Sequence, residues 1–218
     1  MRYLVLLIAM LLAFPSFAGP ASDRIFSTAA LDLVKTGEQV IYTHTREGNA
    51  GEELKPLPDG EIRIQVQNDA EQKREAVVTM GPNGKLKPVS IWPASSGNPI
   101  LPIFLESALR AMSRTTGGST FYIRNRIKET LGTAGTMTPV SLEIAGQQIE
   151  ATQIVFPLFE NDKNRDRMGA FKDMSLTFVV SEQTPGDIVR FTAQTPEVGG
   201  NIAYREEITF SELKPITE

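Results

Sequence analysis

Residues 98–132 read NPILPIFLESALRAMSRTTGGSTFYIRNRIKETLG, from Asn98 to Gly132, and this stretch decides the fold. Asn98 is a helix cap and Pro99 suits a first turn, where its missing N–H is harmless. The spacing predicts a helix to about Arg114. Ile100, Leu101, Phe104, Leu105, Ala108 and Met112 form its broad apolar face, with Glu106, Arg110, Ser113 and Arg114 opposite. Gly117-Gly118 ends that helix, and Ser119 caps a second one to Leu131. Ile123, Ile127 and Leu131 lie at i, i+4 and i+8 on its apolar stripe, and Gly132 stops it. Two helices joined by a glycine turn make a helical hairpin.

The sequence on either side has a different period. Gln39 to Thr45 is rich in β-branched and aromatic residues, and Glu61 to Gln67 alternates strictly with Ile62, Ile64 and Val66 on one face. Glu75 to Met80 turns at Gly81-Pro82-Asn83-Gly84 into Lys85 to Val89. After the hairpin, Ser141 to Ile144 turns into Ile149 to Phe156, Met174 to Val180 turns into Ile188 to Thr195, and Ala203 to Leu213 is a last strand. Gly48 to Gly60 reads as a loop, and Gly19 to Val40 holds at most a short helix around Ile25, Ala29 and Leu31. Short turns between strands imply antiparallel pairing. The predicted class is α+β: a curved, half-barrel-like antiparallel sheet with the helical hairpin packed on its concave or open face.

Composition narrows the chemistry. The chain has 218 residues, 41% hydrophobic and 22% charged, which fits a globular protein of one domain or two small ones. It has no cysteine, so disulfides, thiolate zinc sites, iron–sulfur clusters and a cysteine nucleophile are excluded. A net charge of −4 gives no support to nucleic-acid binding.

Arg2, the apolar run Tyr3 to Phe14 and the small residues of Ser16-Phe17-Ala18 have the pattern of a secretory signal peptide, with cleavage after Ala18. Twelve apolar residues fall short of the roughly 20 that span a bilayer. The expectation is a signal peptide over 1–18 and a single periplasmic domain over 19–218, with no membrane span after cleavage. The missing cysteine also excludes a lipid anchor of the bacterial lipoprotein kind.

Removing 1–18 leaves a net charge of −5, and that mild figure hides a split. Asn98 to Gly132 carries five basic residues and two acids, +3, so the rest of the mature chain is −8. Arg110, Arg114, Arg124, Arg126 and Lys128, with the Gly117-Gly118-Ser119 turn before a helix N-terminus, form a candidate anion patch. The competing reading is a capped turn whose arginines pair with acids. Asp162, Asn164 and Asp166 alternate as in a calcium loop, but Arg167 replaces the needed glycine and Asp173 the bidentate glutamate. A charged surface loop and no metal are expected, as is no cofactor. His44, the only histidine, shares a strand face with Tyr42 and Arg46 and reads as structural or solvent-facing. Glu52-Glu53 and Glu206-Glu207 are neighbours that point to opposite strand faces, so neither is a catalytic pair. Trp92 is a core residue or a cavity wall.

Several segments resemble a family of uncharacterised exported envelope proteins. These are Asn98-Pro99-Ile100, Phe104-Leu105-Glu106, Arg114 to Gly118, Phe121 to Ile127, Ala145 to Ala151, Phe156-Pro157 and Thr184-Pro185-Gly186. In sheet style the chain also resembles periplasmic lipoprotein-carrier half-barrels, which fold a curved antiparallel sheet over helices to shelter acyl chains. The resemblance implies an envelope role and no catalytic residue. The expected function is a non-catalytic periplasmic protein that binds an apolar or anionic envelope component: a lipid, a glycan or a partner protein. A cavity beneath Ile100, Phe104, Leu105, Ile123 and Ile127 would take the apolar part. The alternatives are an envelope hydrolase using His44 or distant carboxylates, and an assembly factor acting through protein contacts. The oligomeric state stays open.

Overall fold

The computed structural model describes residues 19–216 apart from 51–53, 55, 83 and 134. The expected signal peptide and the Glu52-Glu53 pair lie outside the described residues.

A short helix, α1 (Pro20–Ile25), opens the chain. Four strands follow in a meander: β1 (Glu38–Glu47), β2 (Leu57–Asn68), β3 (Arg74–Pro82) and β4 (Lys87–Pro93). Then come the two helices, α2 (Ile100–Thr116) and α3 (Thr120–Leu131). A second meander is β5 (Thr136–Ile144), β6 (Gln147–Pro157), β7 (Ser175–Val180) and β8 (Ile188–Gln194). A two-residue ribbon, β9 (Glu197–Val198) and β10 (Asn201–Ile202), leads to β11 (Arg205–Pro215).

The main sheet has nine strands in the order β4-β3-β2-β1-β11-β8-β7-β6-β5, all antiparallel, curved and unclosed. The last strand thus lies at the centre and joins the two meanders. Because β4 and β5 are opposite edges, the chain between them must cross the full width of the sheet. Nine strands about 4.8 Å apart span about 38 Å. A 17-residue helix is about 25 Å long, so α2 covers much of that distance on one face. The inserted hairpin is therefore a strap across the sheet.

The strap is held by aromatic packing. Phe104 of α2 is fully buried, with its ring 6.1 Å from Phe178 and 5.5 Å from Phe191. Phe178 in turn meets Phe191 at 4.8 Å and Phe156 at 5.9 Å. The sequence pattern calls for a cavity beneath Ile100, Phe104, Leu105, Ile123 and Ile127. That expectation is corrected in part: Ile100, Phe104 and Ile123 are fully buried in one continuous cluster, whereas Leu105 and Ile127 line an open groove between the helices. Ile62, Ile64 and Val66 join it from β2, as their alternation required.

Three details depart from the sequence reading. β2 begins at Leu57, inside the expected loop, and carries Pro58 near the register slip between His44 and Arg46, where a missing N–H is tolerated. β4 runs to Pro93 and includes Trp92; its two prolines, Pro88 and Pro93, fit an edge strand. The β9–β10 ribbon turns on Gly199 and Gly200, both at positive φ.

Candidate functional site

The helical hairpin begins as its sequence promised. Asn98 accepts the Ile100 N–H at 2.9 Å through its side-chain oxygen and donates to the Gly186 carbonyl at 2.7 Å, tying the helix start to the β7–β8 turn. Gly117 ends α2 in the left-handed conformation, φ 68°. Ser119 takes the cap position of α3, but its hydroxyl makes no cap bond. Thr116 Oγ1 instead accepts the Gly118 N–H at 3.1 Å, and the Ser113 hydroxyl donates to the Gly118 carbonyl at 2.7 Å. The turn is thus closed on itself.

The eight residues of the candidate anion patch do not all meet at one place. Arg110 Nε donates to Glu106 Oε1 at 2.8 Å and Arg124 to Glu106 Oε2 at 3.1 Å, so one carboxylate is shared by two guanidiniums. Arg110 comes first among the groups that hold the Glu106 carboxyl below its usual range. Arg126 turns away to Glu129 and lies 3.7 Å from Asp162. Arg114 is exposed beyond them at the end of α2. Only Arg124 and Lys128, one turn apart on α3, face a common concavity.

That concavity is a groove of about 500 Å³ between α1, α2 and α3. Pro102, Leu105 and Leu109 line it from α2, and Ile127 and Leu131 from α3. Their spacing of three and four residues makes a continuous apolar floor along each helix. Ser22 of α1 and Phe26 just after it close the groove, and Glu106, Arg124 and Lys128 stand at its rim. Two cations against one carboxylate leave the rim net positive. Lys128 forms no ion pair with a described residue. The groove lies on the opposite side of α2 from Phe104, which explains why α2 needs so broad an apolar face: one part packs on the sheet and Leu105 and Leu109 turn to the groove. Leu105, Ile127, Leu131, Arg124 and Lys128 were legible in the sequence pattern, and Phe26, Pro102 and Leu109 were not. The available signal was the width of the apolar arc on α2.

A second cluster, deep in the sheet, gathers residues the sequence kept apart. His44 and Arg46 share the inner face of β1, and Arg46 pairs directly with Glu206 of β11. Glu206 is 0% exposed and His44 2%. Glu206 Oε1 lies 2.6 Å from His44 Nε2 and 3.2 Å from Arg46 Nη2, and accepts the Ser107 hydroxyl of α2 at 2.7 Å. Its other oxygen accepts from Tyr204. Burial alone would raise the Glu206 carboxyl; the His44 hydrogen bond and the Arg46 charge outweigh it and hold it at about 2. Burial, then the neighbouring carboxylate, pushes the Tyr204 hydroxyl well up. Glu206 is the one carboxylate of this cluster among the described residues, and both of its oxygens are engaged within it. Its evident work is to bolt α2 to β1 and β11. The Glu206-Glu207 alternation holds: Glu206 points inward, and Glu207 meets Arg205 at 2.9 Å on the other face.

The calcium-like loop is also absorbed structurally. Asp162 is buried and accepts the Tyr122 hydroxyl at 2.5 Å and the Asn164 N–H at 2.7 Å, while Arg165 pairs with Asp173. The expected surface loop is in fact pinned at Asp162 to α3. No metal-holding group of His, Cys, Asp or Glu occurs among the described residues, and no described helix is long and apolar enough to cross a membrane.

No protein-family model matches the chain, and no curated protein matches it. Among solved structures it is similar to MucB, at 12% identity and a TM-score of 0.40 over 89% of this chain. The chain spans 58% of MucB. It is similar to the Mycobacterium tuberculosis lipoprotein LppX at 10% identity and a TM-score of 0.40, over 90% of this chain and 97% of LppX. The MucA/MucB complex of Pseudomonas aeruginosa matches at 12% identity and a TM-score of 0.39, over 90% of this chain and 57% of that one. This is a distant architectural likeness, and at such values no ligand or partner carries over.

Proposed function

We propose that the chain is an exported, non-catalytic binding protein whose α1–α2–α3 groove takes an amphiphile with an apolar chain and an anionic head. The exported location is supported by the signal-peptide pattern of residues 1–18, with 19–218 as the single working domain. The groove is the observation that carries the function: about 500 Å³ with an apolar floor and a net-positive rim. This is the chemistry of a ligand site, mostly apolar with a few placed polar groups. Arg124 is the head's first contact, because its carboxylate partner Glu106 is already shared with Arg110. Lys128 is the second.

Calorimetric titration of laurate into the protein tests this. The wild type should bind one equivalent, and the Arg124→Glu, Lys128→Glu double variant should bind at least tenfold more weakly while keeping the wild-type unfolding midpoint. Both residues are exposed, so reversal leaves the core untouched. Absence of heat in the wild type, or equal affinity in the double variant, would refute the proposal.

A further inference from the structure

Phe26 stands at a junction. With Pro102 and Leu105 it lines both the α1–α2–α3 groove and a second concavity of about 220 Å³ that reaches Trp92 and Asn98. Phe26 is 51% exposed, so few neighbours hold its ring. Its backbone is fixed. The Phe26 N–H donates to the Ser22 carbonyl at 2.9 Å. One residue on, the Ser27 carbonyl lies so close to Gly97 that a Cβ there would come within 2.8 Å. A free ring on an anchored backbone makes a partition between two chambers.

The chambers differ in charge. The first has Glu106, Arg124 and Lys128 on its walls; the second is lined by no charged side chain. A charged head therefore belongs in the first chamber. An apolar chain leaving it along Leu105 and Pro102 meets Phe26 before it can reach Trp92.

We propose that Phe26 sets the length of apolar chain the groove accepts, by closing the passage from the charged chamber to the uncharged one beside Trp92. This rests on the binding reading above and names its ligand class as single-chain anionic amphiphiles. The rim recognises the negative head, and the Phe26 ring ends the run available to the tail.

The test is a series of saturated fatty acids from octanoate to stearate, each kept below its micelle concentration. Affinity is measured by calorimetry and chain arrival by the emission of Trp92, the only tryptophan in the chain. Each buried methylene is worth about fourfold in affinity. In the wild type, affinity should climb by that factor and then level off, with Trp92 emission unchanged. In Phe26→Ala the climb should continue past the wild-type plateau, and the longer acids should shift Trp92 emission. In Phe26→Trp, read by calorimetry alone, the plateau should come at a shorter chain. If the wild type binds the series and neither variant moves the plateau, the role of Phe26 is overturned while the binding function stands. If the wild type binds no member of the series, both readings fall together.

Discussion

Replacing Glu206 with Gln removes the only carboxylate from a buried cluster that contains His44 and Arg46. The magnitude follows from the structure. The Glu206 carboxyl is held at about 2 against an ordinary 4.5, although burial by itself would raise it. At about 1.4 kcal/mol for each tenfold change in acidity, that displacement corresponds to about 3–4 kcal/mol of stability. Breaking a buried ion pair by removing one partner costs a similar amount, about 3–5 kcal/mol. Urea unfolding at pH 7, followed by circular dichroism, should therefore show Glu206→Gln less stable by about 3 kcal/mol, a midpoint lower by about 1–2 M for an ordinary urea dependence. The same charge fixes the pH dependence. A depressed carboxyl stabilises the folded state fully above its unfolded value, and that contribution is lost as pH falls from about 4.5 towards 2. The gap between wild type and variant should accordingly close over that window. A variant within about 1 kcal/mol of wild type at pH 7, or a gap that stays constant to pH 2, would refute the role assigned to Glu206.

Other perturbations read other parts of the molecule. Phe104→Ala opens a hole among Phe178 and Phe191 and should cost about 3–5 kcal/mol in thermal or urea unfolding, whereas a cavity beneath the hairpin would make it nearly silent. Gly97→Ala places a Cβ 2.8 Å from the Ser27 carbonyl at a φ of +90°, so it should destabilise by about 1–3 kcal/mol. Calorimetry should also show a changed fatty-acid plateau, because the segment carrying Phe26 must shift. Ala145 sits at φ 51° in the β5–β6 turn, ahead of Gly146 at φ 79°; Ala145→Gly should raise the unfolding midpoint by relieving about 0.5–1 kcal/mol of strain.

The sheet and strap were legible because local period announces them. Ile62, Ile64 and Val66 alternate, Ile123, Ile127 and Leu131 recur every four residues, and Gly117 and Gly132 mark the helix ends. The strand order was not legible, since nothing local tells that β11 returns between β1 and β8. That return creates the buried cluster by bringing Glu206 to His44 across 162 residues of sequence. The candidate site was half legible. Charge counting picked out Arg124 and Lys128, but it also included Arg110, which lies outside the groove and shares Glu106 with Arg124, and Arg126, which pairs with Glu129. It could not see Phe26, which enters the groove just after α1, a segment whose pattern is too short to read. Of the five residues expected around a cavity, Leu105 and Ile127 line the groove while Ile100, Phe104 and Ile123 are buried in the core, because a helical wheel gives the width of an apolar arc and not which part of it meets the sheet.

The proposed role of the groove is to hold an anionic amphiphile in the cell. Native mass spectrometry of the protein taken directly from the cell envelope, without detergent, measures this with the least interference. The wild type should carry the added mass of one single-chain lipid anion, and the Arg124→Glu, Lys128→Glu variant should lose it. A wild-type protein that arrives consistently bare, or a double variant carrying the same adduct, would contradict it.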